Sequence, residues 1–266
     1  MRKLNIVSFI GFIFCFLTII FGVASNGGLI TIKNFIHFPS LLVTVGGSLF
    51  ATMITADSFE DFMDGCVSFL YAFRKPSIKP MDVSEKIMVL ADVARKEGLL
   101  ELEERAAQLE EEFLSKGVRL VVDGTDPELI KDIMETEYQH RWERNRRRVR
   151  FWQDLGSYAP AWGMVGTLLG LINMMRSMGA DAGAIGAGMA LSLITTLYGS
   201  LIANWICIPI SRKLEKNGEQ ESIVMEVIIE GVLSIQAGEN PRVIKEKIKS
   251  ILEMTEENGR EPMSFT

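Results

Sequence analysis

Hydroxyl and amide side chains recur inside the most apolar parts of this sequence, and their spacing is helical. Ser192, Thr196, Ser200 and Asn204 follow one another at four-residue intervals, with Thr195, Gly199 and Ala203 on a neighbouring line. Gly163, Gly166, Thr167 and Gly170 form a comparable line in the preceding apolar run. Such rows lie along one face of a helix. Small residues let helices approach closely, and hydroxyl oxygens can coordinate a cation or hold water. The pattern leaves both readings open. Depth bears on the choice. Thr167 lies 11 residues before Met178, and Thr196 lies 13 after Gly183. At ~1.5 Å per residue these depths are ~17 and ~20 Å, a shared level near the middle of a membrane.

What the runs lack is as informative. No Asp, Glu, Lys, Arg or His lies in the middle of any of them; Asp154, Arg176 and Asp181 stand at the ends. A proton relay through a membrane ordinarily needs an ionisable group at depth. If this chain takes part in ion flow, a partner must supply the carboxylate. Pro160 and Pro209 each remove a helix hydrogen bond and favour a kink. That kink is either static or a hinge. An enzyme is disfavoured: there is no nucleophile–base set, phosphate loop or metal cluster, and His37 and His140 stand alone. Cys15, Cys66 and Cys207 are odd in number with no metal spacing, and read as structural.

The elements that must position these residues are membrane helices. Hydrophobic residues make up 48% of the chain and mean hydropathy is +0.20. Charges avoid 4–24, 38–56, 155–175 and 182–210 and crowd into 57–151 and 212–261. That partition is what a membrane protein with a cytoplasmic domain shows. The net charge of −6 argues against a nucleic-acid partner. Four spans follow: Leu4–Ala24, ended by Asn26-Gly27-Gly28; a stretch within Phe38–Ala56, opened by Pro39; Trp152–Met178; and Gly183–Ser211. The last two are longer than the ~20 residues a bilayer needs, so they tilt or project. Arg2 and Lys3 before an apolar run resemble a secretory signal, but the run is long enough to span and reads as a retained helix.

Basic residues set the orientation. Arg2 and Lys3 precede span one, and Arg74 and Lys75 follow span two. Arg141, Arg144, Arg146, Arg147, Arg148 and Arg150 precede span three, and Arg212, Lys213 and Lys216 follow span four. The connections at 25–37 and 179–182 hold only Lys33. Both termini and the long middle segment are therefore expected on the cytoplasmic side. The middle reads as helices: 83–95, punctuated by Gly98, then Leu99–Leu114. Val118–Gly124 looks strand-like but is too short and alone for a sheet; a loop or packed helix is expected. Asp126-Pro127-Glu128 starts a helix that runs from about Glu128 unbroken into span three. The tail 218–257 is amphipathic helix, broken near Gly238-Glu239-Asn240-Pro241. The expected fold is an all-α integral membrane protein. Its divisions are 1–56 for spans one and two, 57–151 for a cytoplasmic helical domain, 152–211 for spans three and four, and 212–266 for a cytoplasmic helical tail.

Three motifs carry a resemblance. Ala159-Pro160-Ala161-Trp162-Gly163-Met164-Val165-Gly166-Thr167-Leu168-Leu169-Gly170-Leu171 resembles the third span of MotA and PomA, the A subunits of the flagellar stator. Thr195-Thr196-Leu197-Tyr198-Gly199 through Pro209 is similar to their fourth span. Leu90-Ala91-Asp92-Val93-Ala94-Arg95-Lys96-Glu97-Gly98-Leu99-Leu100-Glu101-Leu102-Glu103-Glu104 is similar to their rotor-contacting segment. The resemblance covers essentially the whole chain. It implies a homo-pentamer around two MotB-like subunits, which carry the ion-binding Asp and a peptidoglycan-binding domain. It implies no cofactor, only translocated H+ or Na+, in a multi-pass protein of the bacterial inner membrane, among its lipids. Ion flow would turn the A subunits and, through FliG, the rotor. By the same resemblance Arg95 and Glu103 match the charged pair that engages FliG, with Lys96 an added basic contact. Pro160 and Pro209 match two coupling prolines. Thr167, Thr195 and Thr196 match hydroxyls near the ion path, and the double threonine looks more like sodium-driven PomA. Two other readings compete. ExbB and TolQ energisers share the logic of spans three and four but usually have three spans. A non-conducting scaffold predicts that Thr167 and Thr196 tolerate valine.

Overall fold

The computed structural model describes residues 5–25, 33, 35–74, 79–109, 111–176 and 182–257. Asn26-Gly27-Gly28, Arg2, Lys3, Lys75, Met178 and Asp181 lie outside them. The described chain is helical: α1 (Ile6–Ala24), α2 (Phe38–Thr55), α3 (Phe59–Ala72), α4 (Pro80–Lys96), α5 (Leu99–Ala107), α6 (Glu112–Val122), α7 (Pro127–Arg176), α8 (Ala182–Leu201), α9 (Ile208–Gln236) and α10 (Pro241–Glu257). A π-turn, Ile202–Cys207, joins α8 to α9, and another, Leu42–Gly46, interrupts α2. Four helical stretches are long and apolar enough to cross a membrane. The chain divides into two compact units, Met1–Lys75 with Arg146–Glu215, and Pro76–Asn145 with Lys216–Thr266.

The first unit holds the apolar helices. α1 starts at Asn5, whose side chain accepts from the Ser8 N–H, and it buries no residue of its own. Aromatic contacts attach it: Phe12 and Phe16 stack on Trp205 at 4.8 and 5.4 Å, and the Trp205 indole donates to the Phe12 carbonyl. α2 opens with His37 as cap and Pro39 in the first turn, where a missing N–H costs nothing. Its Ser40, Thr44, Ser48 and Thr52 are all fully buried. In an ideal α-helix, residues four apart swing by about 40° per step. Over three steps the row would leave the interface. The π-turn at Leu42–Gly46 is wider and offsets that swing. The second π-turn does the same for Thr195, Gly199, Ala203, Cys207 and Ser211, which are also all buried.

α3 lies on the other residues of this unit through one face. Gly65 leaves room for the Phe151 ring, which would meet a Cβ at 2.5 Å. Ser68 accepts the Trp152 indole N–H at 2.9 Å. Asp64 takes the Arg148 guanidinium through two hydrogen bonds of 2.7 and 2.8 Å, and Asp61 pairs with Arg147. Two arginines of the basic run are thus held by acids of α3. The opposite face, Phe59, Met63, Val67 and Leu70, is exposed.

The second unit has its own core, in which Ile87 and Leu90 of α4, Leu102 of α5, Phe113, Leu114 and Val118 of α6 and Met134 of α7 meet Ile228 and Val232 of α9 and Ile244 and Ile248 of α10. One expectation is corrected here and one open alternative is decided. Leu99–Leu114 is not one helix: α5 stops at Ala107 and α6 begins at Glu112. The break lets Leu102 and Ala106 face Phe113 and Leu114 in one core, and the Ser115 hydroxyl satisfies the Ala106 carbonyl left over at the end. Val118–Val122 is the end of α6, the packed helix of the two alternatives, because Phe113, Leu114, Val118 and Val121 bury one helical face and outweigh the β-branched local preference. Gly124, at φ +69°, closes that helix in a conformation other residues rarely take. Asp126 then caps α7 through the Glu128 N–H, and α7 runs unbroken to Arg176 as expected.

Lys116 of α6 and Arg141 of α7 both reach Glu137, at 2.6 and 2.7 Å. Burial alone would push the Glu137 carboxyl up; the two cationic donors outweigh it and hold the group below its ordinary range. Lys247 of α10 pairs with Glu230 of α9 and with Glu239 in the turn between the two helices.

Candidate functional site

α7 and α8 approach closely at glycines. A Cβ on Gly163 would stand 2.9 Å from the Thr195 carbonyl, and one on Gly166 would stand 2.4 Å from Thr195 Cγ2. A Cβ on Gly170 would stand 2.3 Å from the Ser192 hydroxyl, and one on Gly199 would stand 2.6 Å from the Ala159 carbonyl. Close packing is therefore what the glycines do.

It also sets the hydroxyls. Thr167 Oγ1 and Thr196 Oγ1 meet at 2.5 Å. Thr167 further reaches the Gly163 and Ser192 carbonyls at 3.1 and 3.2 Å, and Thr196 reaches the Ser192 carbonyl at 3.2 Å. Two hydroxyl protons are shared among these acceptors, so oxygen lone pairs remain on the outer side of the pair. Thr196 is exposed and Thr167 half-buried. Thr196, Ser200 and Asn204 continue as an exposed polar row, in which the Asn204 amide donates to the Ser200 carbonyl. The row can bind water or a cation by oxygen, but it carries no charge.

Thr195 sits differently from its neighbour. It is fully buried, and its hydroxyl donates back to the Leu191 and Ser192 carbonyls. Its methyl group is the part that fills the space over Gly166. Pro160 is exposed within α7, which continues through it. Pro209 is the second residue of α9, directly after the π-turn. Arg95, Lys96 and Glu103 belong to the second unit, at the end of α4 and on α5. All three are exposed. Lys96 pairs with Asp92, and Arg95 and Glu103 make no ion pair among the described residues.

Other contacts tie α8 to its neighbours, and the sequence reading did not single out Thr44 or Tyr198 for them. Ser192 donates to the Thr167 carbonyl at 2.9 Å. Thr44 of α2 reaches the Thr195 carbonyl at 3.4 Å. The Tyr198 hydroxyl links to Phe35 and His37. The signal for Thr44 was present in the four-residue spacing of Ser40, Thr44, Ser48 and Thr52.

Residues 105–227 match the MotA/TolQ/ExbB proton channel family. The chain is 38% identical to motility protein A of Treponema phagedenis, over 92% of this chain and 93% of that protein. It is 35% identical to the chemotaxis protein PomA of Vibrio alginolyticus, over 94% and 96%. Among solved structures it is similar to C. jejuni MotAB, with a TM-score of 0.82 at 25% identity over 93% and 95% of the two chains. It is likewise similar to the flagellar MotAB stator complex from Bacillus subtilis, with a TM-score of 0.80 at 26% identity over 94% and 97%. Likeness of this depth along nearly the full length of each relative, on four apolar helices, means that the chain belongs to the MotA/TolQ/ExbB proton channel family, as a membrane-embedded flagellar stator subunit of the motility protein A and PomA kind.

Proposed function

We propose that this subunit surrounds an ion site that a MotB-like partner completes, and that Thr167 and Thr196 line it. The observation that carries the reading is the pair of half-buried Thr167 and exposed Thr196, far from the ends of their apolar runs, in a chain with no ionisable residue in the middle of any such run. Neutral oxygens can ease a cation past a carboxylate, but they do not hold a proton at depth by themselves. Thr195 positions the pair from inside the helix contact. Five such subunits around two partners would present five copies of the row to two carboxylates. Both termini and the segments 57–151 and 212–266 lie on the cytoplasmic side, a placement supported by the arginines at 141–150 and the Arg212, Lys213 and Lys216 cluster. There Arg95, Lys96 and Glu103 engage the rotor protein FliG, and Pro160 and Pro209 couple span movement to that contact. The driving ion is H+ or Na+, with the Thr195-Thr196 pair favouring Na+.

The test is swimming speed against external sodium, with a proton uncoupler as control, for the native stator and Thr196→Val. Speed that follows sodium and survives the uncoupler assigns Na+, and the opposite assigns H+. Thr196→Val stators that reach the membrane at native levels and generate native torque would refute the lining role.

A further inference from the structure

We propose that Thr44 of α2 is a positioning residue for the ion path, holding the α8 backbone at the level where Thr196 meets Thr167. The inference rests on the reading of that hydroxyl pair as the path lining. Thr44 and Thr195 are both wholly buried. The buried hydroxyls of α2 bond mostly within their own helix: Ser48 to the Val45 carbonyl, Thr52 to the Ser48 carbonyl, and Ser40 to the His37 ring. Thr44 instead crosses to α8, with its hydroxyl 3.4 Å from the Thr195 carbonyl oxygen.

That carbonyl is where three helices meet. Gly163 of α7 lies so close that a Cβ there would stand 2.9 Å from it. A carbonyl oxygen has two lone pairs and can serve its own helix and Thr44 together. The next residue is Thr196, whose hydroxyl meets Thr167 at 2.5 Å. A shift of the Thr195 peptide therefore carries directly into the pair. The π-turn at Leu42–Gly46 is what keeps Thr44 on the inner face, since a regular helix would swing successive residues of the row by about 40° each. π-Turns inside helices are frequent at functional sites. Here the turn would serve a site on another helix.

The experiment uses the complete stator in motile cells. Thr44→Val keeps the shape and removes the donor, whereas Thr44→Ser keeps the donor. Speed is measured against the concentration of the driving ion, so half-saturation and maximal speed separate. Membrane levels of the complex are measured alongside. Loss of one neutral hydrogen bond predicts that Thr44→Val raises half-saturation roughly two- to tenfold. Maximal speed should change by less than about twofold, and Thr44→Ser should restore half-saturation. A general packing defect would lower maximal speed and membrane level together, and would leave half-saturation in place. If Thr44→Val does not accumulate, Thr44→Cys gives the same test with similar bulk and a weaker donor. Unchanged half-saturation in the accumulating variant overturns the proposal. Thr196→Val is run in parallel. If it shifts half-saturation and the Thr44 variant does not, only the Thr44 inference fails. If neither shifts, the path reading fails with it.

Discussion

Gly166→Ala tests whether the hydroxyl pair depends on glycine packing. An alanine Cβ at 166 would stand 2.4, 2.6 and 2.7 Å from Thr195 Cγ2, Cβ and Oγ1. Ordinary carbon contacts lie at about 3.5–4.0 Å, so α7 and α8 must part there by roughly 1.1–1.6 Å. Thr167 is the next residue. Its 2.5 Å contact with Thr196 would then open to roughly 3.6 Å or more, beyond a hydrogen bond. Overpacking of this kind costs about 1–3 kcal/mol, short of what would unfold a multi-span protein. The expected result is a complex that reaches the membrane but produces little torque. Torque on a tethered or bead-labelled flagellum, normalised to membrane level, measures it. Thr195→Gly removes the three atoms nearest the new Cβ. It costs about 1 kcal/mol as a helix-interior glycine, and in the double variant it should recover torque that Gly166→Ala alone loses. Such coupling is expected only between residues in contact. Native torque from Gly166→Ala, or a double variant no better than the single one, would refute the reasoning.

Arg95→Glu should abolish or strongly reduce swimming while leaving membrane levels unchanged, because Arg95 is exposed and carries no packing load; unchanged motility removes the rotor contact. This chain expressed without its partner subunit should give no appreciable ion leak in a vesicle flux assay, since its apolar runs hold no ionisable group at depth; a strong leak contradicts that. Glu137 predicts a pH effect on stability. Its folded carboxyl is held low, so its stabilising contribution is present above the ordinary Glu value of about 4.3 and is lost as pH falls through the folded value. Detergent-solubilised chain should lose melting temperature more steeply below about pH 4.5 than Glu137→Gln does; parallel curves would remove Glu137 as the cause.

Much of this fold was legible because the bilayer imposes length and composition on its helices. The four apolar runs, the Asp126 cap and the unbroken helix from Pro127 into the third run all follow from local rules. The correction at 99–114 and the alternative left open at 118–124 lie where tertiary packing, not local preference, decides. Val118, Val121 and Val122 favour a strand taken singly, but a core of neighbouring helices accepts them as one face of α6. The acidic stretch after Ala107 reads as continuous helix, yet the chain turns back there to close that core. In the site, Thr195 and Thr196 are equivalent by type and differ by one position. About 100° of helical rotation separates a buried packing residue from an exposed hydroxyl, and only the facing glycines show which is which. The charges at Arg95 and Glu103 carry no local signal that marks them out from a solvated helix face. Only the resemblance of residues 90–104 to a rotor-contacting segment singles them out, as a proposed contact.

Two polar rows of similar chemistry run along helices of the first unit, and they differ in where their capacity is spent. Ser40, Thr44, Ser48 and Thr52 are buried and bonded inside this chain. Thr44 bonds across to α8, the others bond within α2 and its cap, and their small size lets the helices approach closely. Thr196, Ser200 and Asn204 are exposed. The Asn204 amide satisfies one hydrogen bond through the Ser200 carbonyl, which leaves a second N–H and a carbonyl with unfilled positions on the outer side. A polar group facing hydrocarbon without a partner costs several kcal/mol. A row of them at span depth is stable only against water or another polar surface. The first row explains how the chain holds itself together. The second suits a polar surface from outside the chain: its outward oxygens fit the hydrated carboxylate that the proposed partner subunit would bring to the same depth.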